Sequence, residues 1–279
     1  MSQAKALLDA GQLGAAIEEL TREVKANPTD TSRRIFLFEL LCLAGDLDRA
    51  EKQLDVVGSA DAQAAAGVLV YRQNIKAERD RRRLFSDGLQ PHFLAEPPAY
   101  VDLHLEAINR LREGNYAEAR AALDRAEEQR PALKGALKGQ PFEDFRDCDD
   151  FVGPVLELIV KGQYSWLPFE QIRRMEISAP KQLRDLIWTT ASIESIDGTV
   201  GEVFLPALYA GSAEHANDQV RLGRMTDWTE IGGDLYRAAG LRLFLVDDDA
   251  RSIFEAGTVE FDHAGAQVPE ATPSQDVVH

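Results

Sequence analysis

The stretch Gly11-Gln-Leu-Gly-Ala-Ala-Ile-Glu-Glu-Leu-Thr-Arg-Glu-Val-Lys-Ala-Asn-Pro28 sets the architecture of the first half of the chain, because part of it returns 34 residues later. The second copy is Gly45-Asp-Leu-Asp-Arg-Ala-Glu-Lys-Gln-Leu54. A third copy, Gly114-Asn-Tyr-Ala-Glu-Ala-Arg-Ala-Ala-Leu123, ends at Pro131, as far from its glycine as Pro28 is from Gly11. A period of this length indicates a repeated pair of helices.

Each residue type in the repeat has a physical role. The glycine ends a first helix where a left-handed backbone or a close approach is needed, and the alanine five residues later lets the second helix pack closely. Later apolar residues form an inward stripe, and the proline closes the second helix. The residues that define the repeat are Gly11, Ala16, Gly45, Ala50, Gly114 and Ala119. This spacing is similar to that of tetratricopeptide repeats and predicts a short solenoid with a concave groove for helices or extended peptides.

A longer helix is predicted from about residue 62 to residue 85, beyond the break at Gly58-Ser-Ala-Asp61. Its end carries five cations, which are Lys76, Arg79, Arg81, Arg82 and Arg83. They could form a basic patch for an acidic partner. We favour a solvated helix end, where cations are placed well against the helix dipole.

After Pro131 the helical period stops, and the segment from Lys134 to Pro141 predicts a linker. Beyond it, short apolar runs are separated by Gly, Pro and Asp turns, which is typical of strands. Predicted strands cover residues 155–160, 162–168, 201–209, 241–246 and 259–261. Phe169–Met175 and Pro180–Leu186 are predicted as short helical turns, and Asp247–Asp249 as a hairpin turn.

The fold class is therefore α+β with two domains. We predict a tetratricopeptide-like helical domain over residues 1–134 and a small, mainly antiparallel β domain, sheet or barrel, over residues 141–262. Residues 263–279 contain two prolines and no periodicity, and are predicted to form a loose tail.

The charge of the chain is uneven and argues against some classes of partner. Residues 1–140 hold 20 Lys and Arg against 22 Asp and Glu, and residues 141–279 hold 11 against 25, so the second half carries −14 of the net −16. Such an acidic half argues against a nucleic-acid partner. No run is apolar enough for a membrane span or a signal peptide, so we expect no membrane partner and a cytoplasmic protein. Cys42 and Cys148 are expected to be reduced thiols.

No catalytic motif is present, and the five histidines are never at metal-ligand spacing. We therefore predict no catalytic residue, no metal and no cofactor. The densest carboxylate cluster is Asp144, Asp147, Asp149 and Asp150, within the Asp144–Asp150 segment. It could hold a divalent cation, but it lacks the glycine and the distal glutamate of a calcium loop. Turn-forming and capping aspartates are the interpretation that we favour.

Trp166, Trp188 and Trp228 each lie in a short polar–aromatic phrase. They could be core aromatics of a small β domain, as large aromatics usually are. Trp and Arg are also the residue types that are enriched at binding hot spots. The candidate partner-binding residues are Trp166, Arg184, Trp188, Arg224 and Trp228.

At these phrases the sequence resembles the ImpE family, also called TagJ. The phrases that carry the resemblance are Phe145-Arg-Asp-Cys-Asp-Asp150, Gly162-Gln-Tyr-Ser-Trp-Leu-Pro168, Leu183-Arg-Asp-Leu-Ile-Trp188, Gly201-Glu-Val-Phe-Leu-Pro206 and Leu222-Gly-Arg-Met-Thr-Asp-Trp228. With the amino-terminal repeats, the resemblance extends to about residue 262.

The resemblance implies a non-enzymatic accessory protein of bacterial type VI secretion systems. It further implies binding to the small subunit of the contractile sheath, through the N-terminal helix of that subunit, and an indirect link to the ClpV disassembly ATPase. Two alternatives remain open. One is an enzyme or metal-binding protein that uses the Asp144–Asp150 cluster, and the other is a tetratricopeptide scaffold for a different partner.

Overall fold

Helices form the first half of the chain, as the repeat predicts. The computed structural model describes residues 2–60 and 64–263, so the predicted tail beyond His263 lies outside the described residues. The helices of this half are α1 (Gln3–Asp9), α2 (Leu13–Ala26), α3 (Thr31–Leu43), α4 (Leu47–Ala60), α5 (Ala65–Asp87), α6 (Ala99–Arg112) and α7 (Tyr116–Gln129). Antiparallel pairs α1–α2, α3–α4 and α6–α7 follow the three sequence copies, and α5 is the long helix between the second and third pairs.

The repeat glycines end the first helix of each pair. Gly11, Gly45 and Gly114 have φ values of 76°, 77° and 75°, in the left-handed region where a side chain is disfavoured. Each donates its N–H to a carbonyl in the last turn of the preceding helix, which satisfies a group that the helix leaves unpaired. The three repeat alanines are 0% exposed, so the paired helices pack closely there.

Replacing Gly114 with alanine is expected to lower the free energy of unfolding by about 1 kcal/mol, because only the left-handed backbone opposes the new Cβ. Nothing lies within 4 Å of that position. The same substitution at Gly45 should lower the free energy of unfolding further, since its Cβ would lie 2.8 Å from the Cβ of Ala213. Urea unfolding of both variants measures the difference. Equal losses would contradict this account of Gly45.

Strands and short helices form the second half, with one strand contributed by the loop between α5 and α6. The strands are β1 (His92–Phe93), β2 (Gly135–Leu137), β3 (Gln140–Phe142), β4 (Phe145–Asp147), β5 (Val155–Val160), β6 (Gln163–Pro168), β7 (Ile172–Ile177), β8 (Trp188–Ser195), β9 (Val200–Pro206), β10 (Thr226–Gly232), β11 (Leu235–Gly240), β12 (Leu243–Val246), β13 (Asp249–Ser252) and β14 (Thr258–Phe261). The short helices are α8 (Asp218–Arg221) and α9 (Ile253–Ala256).

The strands of the described residues form three open sheets. The largest has the order β1-β6-β5-β9-β8-β7-β14-β2-β3, and the smaller ones are β13-β12-β4 and β10-β11. All pairs are antiparallel except β1 with β6. The predicted fold class, a tetratricopeptide-like helical region followed by a mainly antiparallel β region, is confirmed, and of the sheet and barrel alternatives the structure has the sheet.

Two local predictions were wrong. The segment predicted as a linker, Lys134–Pro141, contains β2 and the start of β3, joined through left-handed Lys138 and Gly139. Phe169–Met175 was predicted as a helical turn, but only Phe169–Gln171 is a 3-10 turn and β7 follows. Ile172, Met175 and Ile177 are buried in the sheet, so burial outweighs the local helical signal. The hairpin turn predicted at Asp247–Asp249 is confirmed between β12 and β13.

One apolar cluster runs across both halves of the chain. It includes Phe38 of α3, Ile75 of α5 and Trp188 of β8. The rings of Phe38 and Tyr71 lie 5.8 Å apart, and those of Tyr71 and Trp188 lie 6.5 Å apart. The division into domains at residues 1–134 and 141–262 therefore stays a proposal about sequence organisation, because the two parts share a core.

Candidate functional site

A groove of about 550 Å³ lies between the first helices and two segments of the β region. We name it the repeat–loop groove. Its apolar lining consists of Leu8, Phe36, Pro180, Leu183, Leu186 and Leu222, and its polar lining of Lys5, Asp9, Lys181, Gln182 and Arg224. The segments 183–188 and 222–228, two of the phrases that carry the family resemblance, thus meet α1 and α3 at one place.

Side chains from the 218–224 segment complete the ends of the first helix pair. Asp218 accepts a hydrogen bond from the N–H of Leu13 at 2.8 Å, at the start of α2. Arg224 donates to the carbonyls of Leu8 and Asp9, at 2.7 and 3.2 Å, at the end of α1. A carboxylate at a helix start and a cation at a helix end both interact favourably with the helix dipole. These contacts fix one wall of the repeat–loop groove.

A buried carboxylate, that of Glu39 in α3, contacts the 180–186 segment that lines part of the groove. Nη1 of Arg184 lies 3.4 Å from Oε1 of Glu39, and Cζ of Arg184 lies 5.3 Å from the centre of the Tyr71 ring. Glu39 is only 7% exposed. Burial raises the pKa of Glu39 to about 7, although the charge of Arg184 opposes that rise. Glu39 therefore titrates near neutral pH, next to a segment of the groove lining.

Replacing Glu39 with glutamine is expected to remove part of the pH dependence of stability. The pKa of Glu39 is about 7 in the folded chain against 4.5 in the unfolded chain, so wild-type stability falls as pH rises from 4.5 to 7 and is constant above. At pH 8 the variant should be more stable by about 3 kcal/mol, because each unit of the pKa difference corresponds to about 1.4 kcal/mol. Urea unfolding between pH 4 and pH 8 measures this, with exposed Glu118→Gln as the control. A variant with the wild-type slope would contradict the buried-carboxylate account.

Four buried charges join the helical half to the β region. Arg81 of α5 donates from Nε and Nη2 to the two oxygens of Glu157, both at 2.9 Å. Arg242 pairs with the same Glu157 and with Asp147, the latter at 2.5 Å. The four side chains are each no more than 2% exposed. We name this set the buried charge network.

Hydrogen bonds from two tyrosines complete the buried charge network. Tyr164 donates to Glu157, and Tyr209 donates to Asp147 at 2.9 Å. Burial alone would raise the pKa of Glu157, but the charges of Arg81 and Arg242 hold it well below its usual range. Glu157 is therefore ionised, whereas burial raises the pKa of Asp147 to about 7, although the charge of Arg242 opposes that rise. The network fixes α5 to β4 and β5.

A curated relative matches nearly the whole chain. It is the type VI secretion system accessory component TagJ of Pseudomonas aeruginosa, 37% identical over 263 residues, which are 94% of this chain and 92% of the relative. The chain belongs to the ImpE family. The family model described as ImpE protein matches residues 139–260, and a tetratricopeptide-repeat model matches residues 7–69.

A solved structure shows the same fold as this ImpE family member. It is the crystal structure of a protein from Vibrio parahaemolyticus, with 27% sequence identity and a TM-score of 0.87. The match covers 95% of this chain and 99% of the solved chain. The resemblance read from the sequence is thereby confirmed at the level of family and fold.

The structure separates the five candidate partner-binding residues of this ImpE family member. Trp166 and Trp188 are 0% and 1% exposed, so both indoles belong to the core. Arg224 lines the repeat–loop groove, whereas Arg184 does not line it and pairs with Glu39. Trp228 is 38% exposed and packs against Tyr209. Contact with a partner stays a prediction. Arg224 and Trp228 are exposed and could make such a contact, whereas Trp166 and Trp188 would first have to leave the core.

Each carboxylate of the Asp144–Asp150 cluster has its own partner. Asp144 accepts from Arg130, and Asp150 accepts from Arg146 at 2.9 Å. Asp147 belongs to the buried charge network, and its Oδ1 also accepts the N–H of Asp149. The carboxylate of Asp149 accepts the N–H of Phe151, two residues later. These contacts are those of turn-forming and ion-paired aspartates. Within residues 2–60 and 64–263, no group of three or more acidic, His or Cys side chains could hold a metal ion.

The cations at the end of α5 serve the fold. Arg79 pairs with Asp48 and Glu51, at 2.7 and 2.9 Å, while Arg83 pairs with Asp87. Arg81 lies in the buried charge network. Arg79, Arg81 and Arg83 are thus all paired with carboxylates and do not form a free basic patch. In the part of the chain that the structure describes, no helix is both long and apolar enough to cross a membrane.

Proposed function

We propose that this ImpE family member is a non-enzymatic adaptor of a bacterial type VI secretion system, acting in the cytoplasm. Its partner in this proposal is the small subunit of the contractile sheath, bound through the N-terminal helix of that subunit. The observation that carries the proposal is the match to TagJ, which spans both the helical repeats and the β region. That relative is named as an accessory component of the type VI secretion system.

The repeat–loop groove suits an amphipathic helix. Leu8, Leu183 and Leu222 offer an apolar floor, on which anchors at positions i, i+3, i+4 and i+7 of a helix can rest. Exposed Lys181 and Arg224 stand at the rim, where they can meet carboxylates on the polar face of the helix. One helix buries a modest interface, so we expect micromolar affinity, about −8 kcal/mol.

The direct test is calorimetry of the full-length protein with a synthetic peptide of the sheath subunit's N-terminal helix. We expect saturable binding of one peptide per chain with a micromolar dissociation constant. A second peptide, with its apolar anchors replaced by serine, should not bind. If the first peptide shows no saturable heat, the adaptor proposal for this subunit is wrong and a different partner of the tetratricopeptide-like region becomes the better account.

The link to the ClpV ATPase is proposed as indirect. Immobilised full-length protein should then retain ClpV from purified components only when the sheath subunit is also present. Retention of ClpV without the sheath subunit would contradict an indirect link. The alternative of an enzyme at the Asp144–Asp150 cluster is not proposed, because the carboxylates there are already engaged by arginines and backbone amides.

A further inference from the structure

The hairpin of β10 and β11 exposes an unusual share of large apolar side chains. Ten such side chains are exposed among the described residues, and four of them lie on or against this hairpin. They are Met225, Trp228, Tyr236 and, packed on the hairpin turn, Tyr116, with 43%, 38%, 45% and 40% exposure. Aromatic side chains of this kind are enriched at binding hot spots. The hairpin patch, as we name it, is separate from the lining of the repeat–loop groove.

The register of the hairpin places two of these rings on one face. Trp228 is opposite Ala238, and Glu230 is opposite Tyr236. Because alternate residues of a strand point to the same side, Trp228, Glu230 and Tyr236 share a face of the two-stranded sheet. The inner part of that face rests on Tyr209, with ring centres of Tyr209 and Trp228 6.2 Å apart. The outer part is open.

β10 is a free edge among the described residues, since its sheet consists of β10 and β11 alone. The carbonyl of Met225 accepts from the N–H of Leu241. In an antiparallel pair the hydrogen-bonded positions alternate, so Thr226, Trp228 and Glu230 direct their backbone groups away from β11. The N–H of Trp228 accordingly bonds to the carboxylate of Asp227 at 2.9 Å, not to β11. An incoming strand would find its hydrogen-bonding partners along this edge.

The exposed charges of the hairpin have one sign. Asp227, Glu230 and Asp234 are exposed, and Arg237 is turned inward against the ring of Phe85 at 4.1 Å. Among the described residues, Asp227 pairs only with His215, at 3.2 Å, and Glu230 and Asp234 form no ion pair. The half of the chain that contains the hairpin carries a net charge of −14. A partner segment that fits this edge is therefore cationic.

The geometry points to a second interaction surface, at which β10 accepts a cationic, extended segment of a partner protein as an added strand. Apolar residues of the segment contact Trp228 and Tyr236 on one face, and its lysines or arginines contact Asp227 on the other face. Glu230, exposed on the face of the rings, adds negative potential that attracts the same cations. Backbone hydrogen bonds to Thr226 and Glu230 supply the remaining contacts. Carboxylates alone would be enough to block an edge against unwanted pairing, whereas exposed aromatic rings work against that purpose. The exposed rings therefore indicate an edge that accepts a partner, not an edge protected against pairing.

The test uses the full-length protein and fluorescently labelled hexapeptides. The probe alternates lysine and valine, and two control peptides alternate glutamate with valine and lysine with serine. We expect saturable binding of the lysine–valine probe alone, weakened when salt rises from about 0.1 to 0.5 M. Hydrogen exchange should show protection confined to the amides of β10. Absence of saturable binding, or equal binding of the lysine–serine peptide, would overturn the proposal.

Two substitutions at one position separate an added strand from simple charge attraction. Glu230→Pro removes an outward-pointing N–H but no hydrogen bond to β11. It should lower the affinity for the lysine–valine probe about tenfold. Glu230→Gln keeps the backbone N–H and removes only the exposed charge. It should lower the affinity for the probe about threefold. Trp228→Ala should lower the affinity for the probe at least as much as Glu230→Pro does. Equal affinities of the proline and glutamine variants, with wild-type circular dichroism, would refute the added strand.

Discussion

Replacing Glu157 with glutamine is expected to lower the free energy of unfolding by about 3–5 kcal/mol. The substitution leaves the shape of the side chain nearly unchanged but removes the carboxylate that Arg81 and Arg242 share. Arg242 then keeps the carboxylate of Asp147, and of the two carboxylates that Arg81 contacts only the more distant one remains, that of Glu78 at 3.5 Å from Nη1. An uncompensated buried charge is costly, because desolvation is no longer offset by the paired charge. Urea unfolding followed by circular dichroism measures the loss.

The matched control is Glu143→Gln, which removes the partner of Lys134 at an exposed site. We expect a loss of less than about 1 kcal/mol there, as is usual for surface ion pairs. A second comparison uses the double variant Arg81→Met with Glu157→Gln, which restores the balance of buried charge. The double variant should be more stable than the sum of the two single losses predicts. Strict additivity would show that the four charges do not act as a network.

Replacing Leu183 with glutamate is expected to lower the affinity for the sheath-helix peptide about 100-fold, which is a loss of roughly 2.7 kcal/mol in binding free energy. Leu183 belongs to the apolar lining of the repeat–loop groove and is partly exposed, so the variant should still fold. In the complex, however, the new carboxylate would be buried against apolar anchors without a partner. Calorimetry with the same peptide measures the change.

The matched control for Leu183→Glu is Leu94→Glu, at an exposed leucine outside the groove lining. That variant should bind the peptide as the wild type does. If wild-type protein binds and Leu183→Glu binds equally well, the helix is bound on a different surface. The adaptor function would then stand and only its location would be wrong.

The helical half was predictable because its signals are local. A glycine at the left-handed end of a helix and an alanine at the contact five residues later act within one repeat, and Gly11, Gly45 and Gly114 have this conformation. The strand over Val155–Val160 was also correct to the residue. By contrast, β7 was missed because its burial depends on pairing with β8 and β14, which a local pattern does not contain.

The candidate site was harder to predict because its parts are far apart in sequence. The repeat–loop groove combines α1, α3, the 180–186 segment and the 222–224 segment, and only the folded chain brings them together. The buried charge network was also missed, since Arg81 was interpreted as part of a solvated helix end. One signal was available: Glu157 and Arg242 each interrupt an apolar strand run, and a charged residue there needs a buried partner. Which partner it finds cannot be read from one sequence.

The shared core of the two halves has a practical consequence for interaction screening. Fragments that end between residues 134 and 141 would separate Arg81 from Glu157 and expose the rings of Phe38, Tyr71 and Trp188. Such truncated baits would adhere to unrelated hydrophobic proteins and lose authentic ligands at the same time. Libraries of point substitutions in the intact polypeptide are therefore the suitable format for mapping which surface serves which partner.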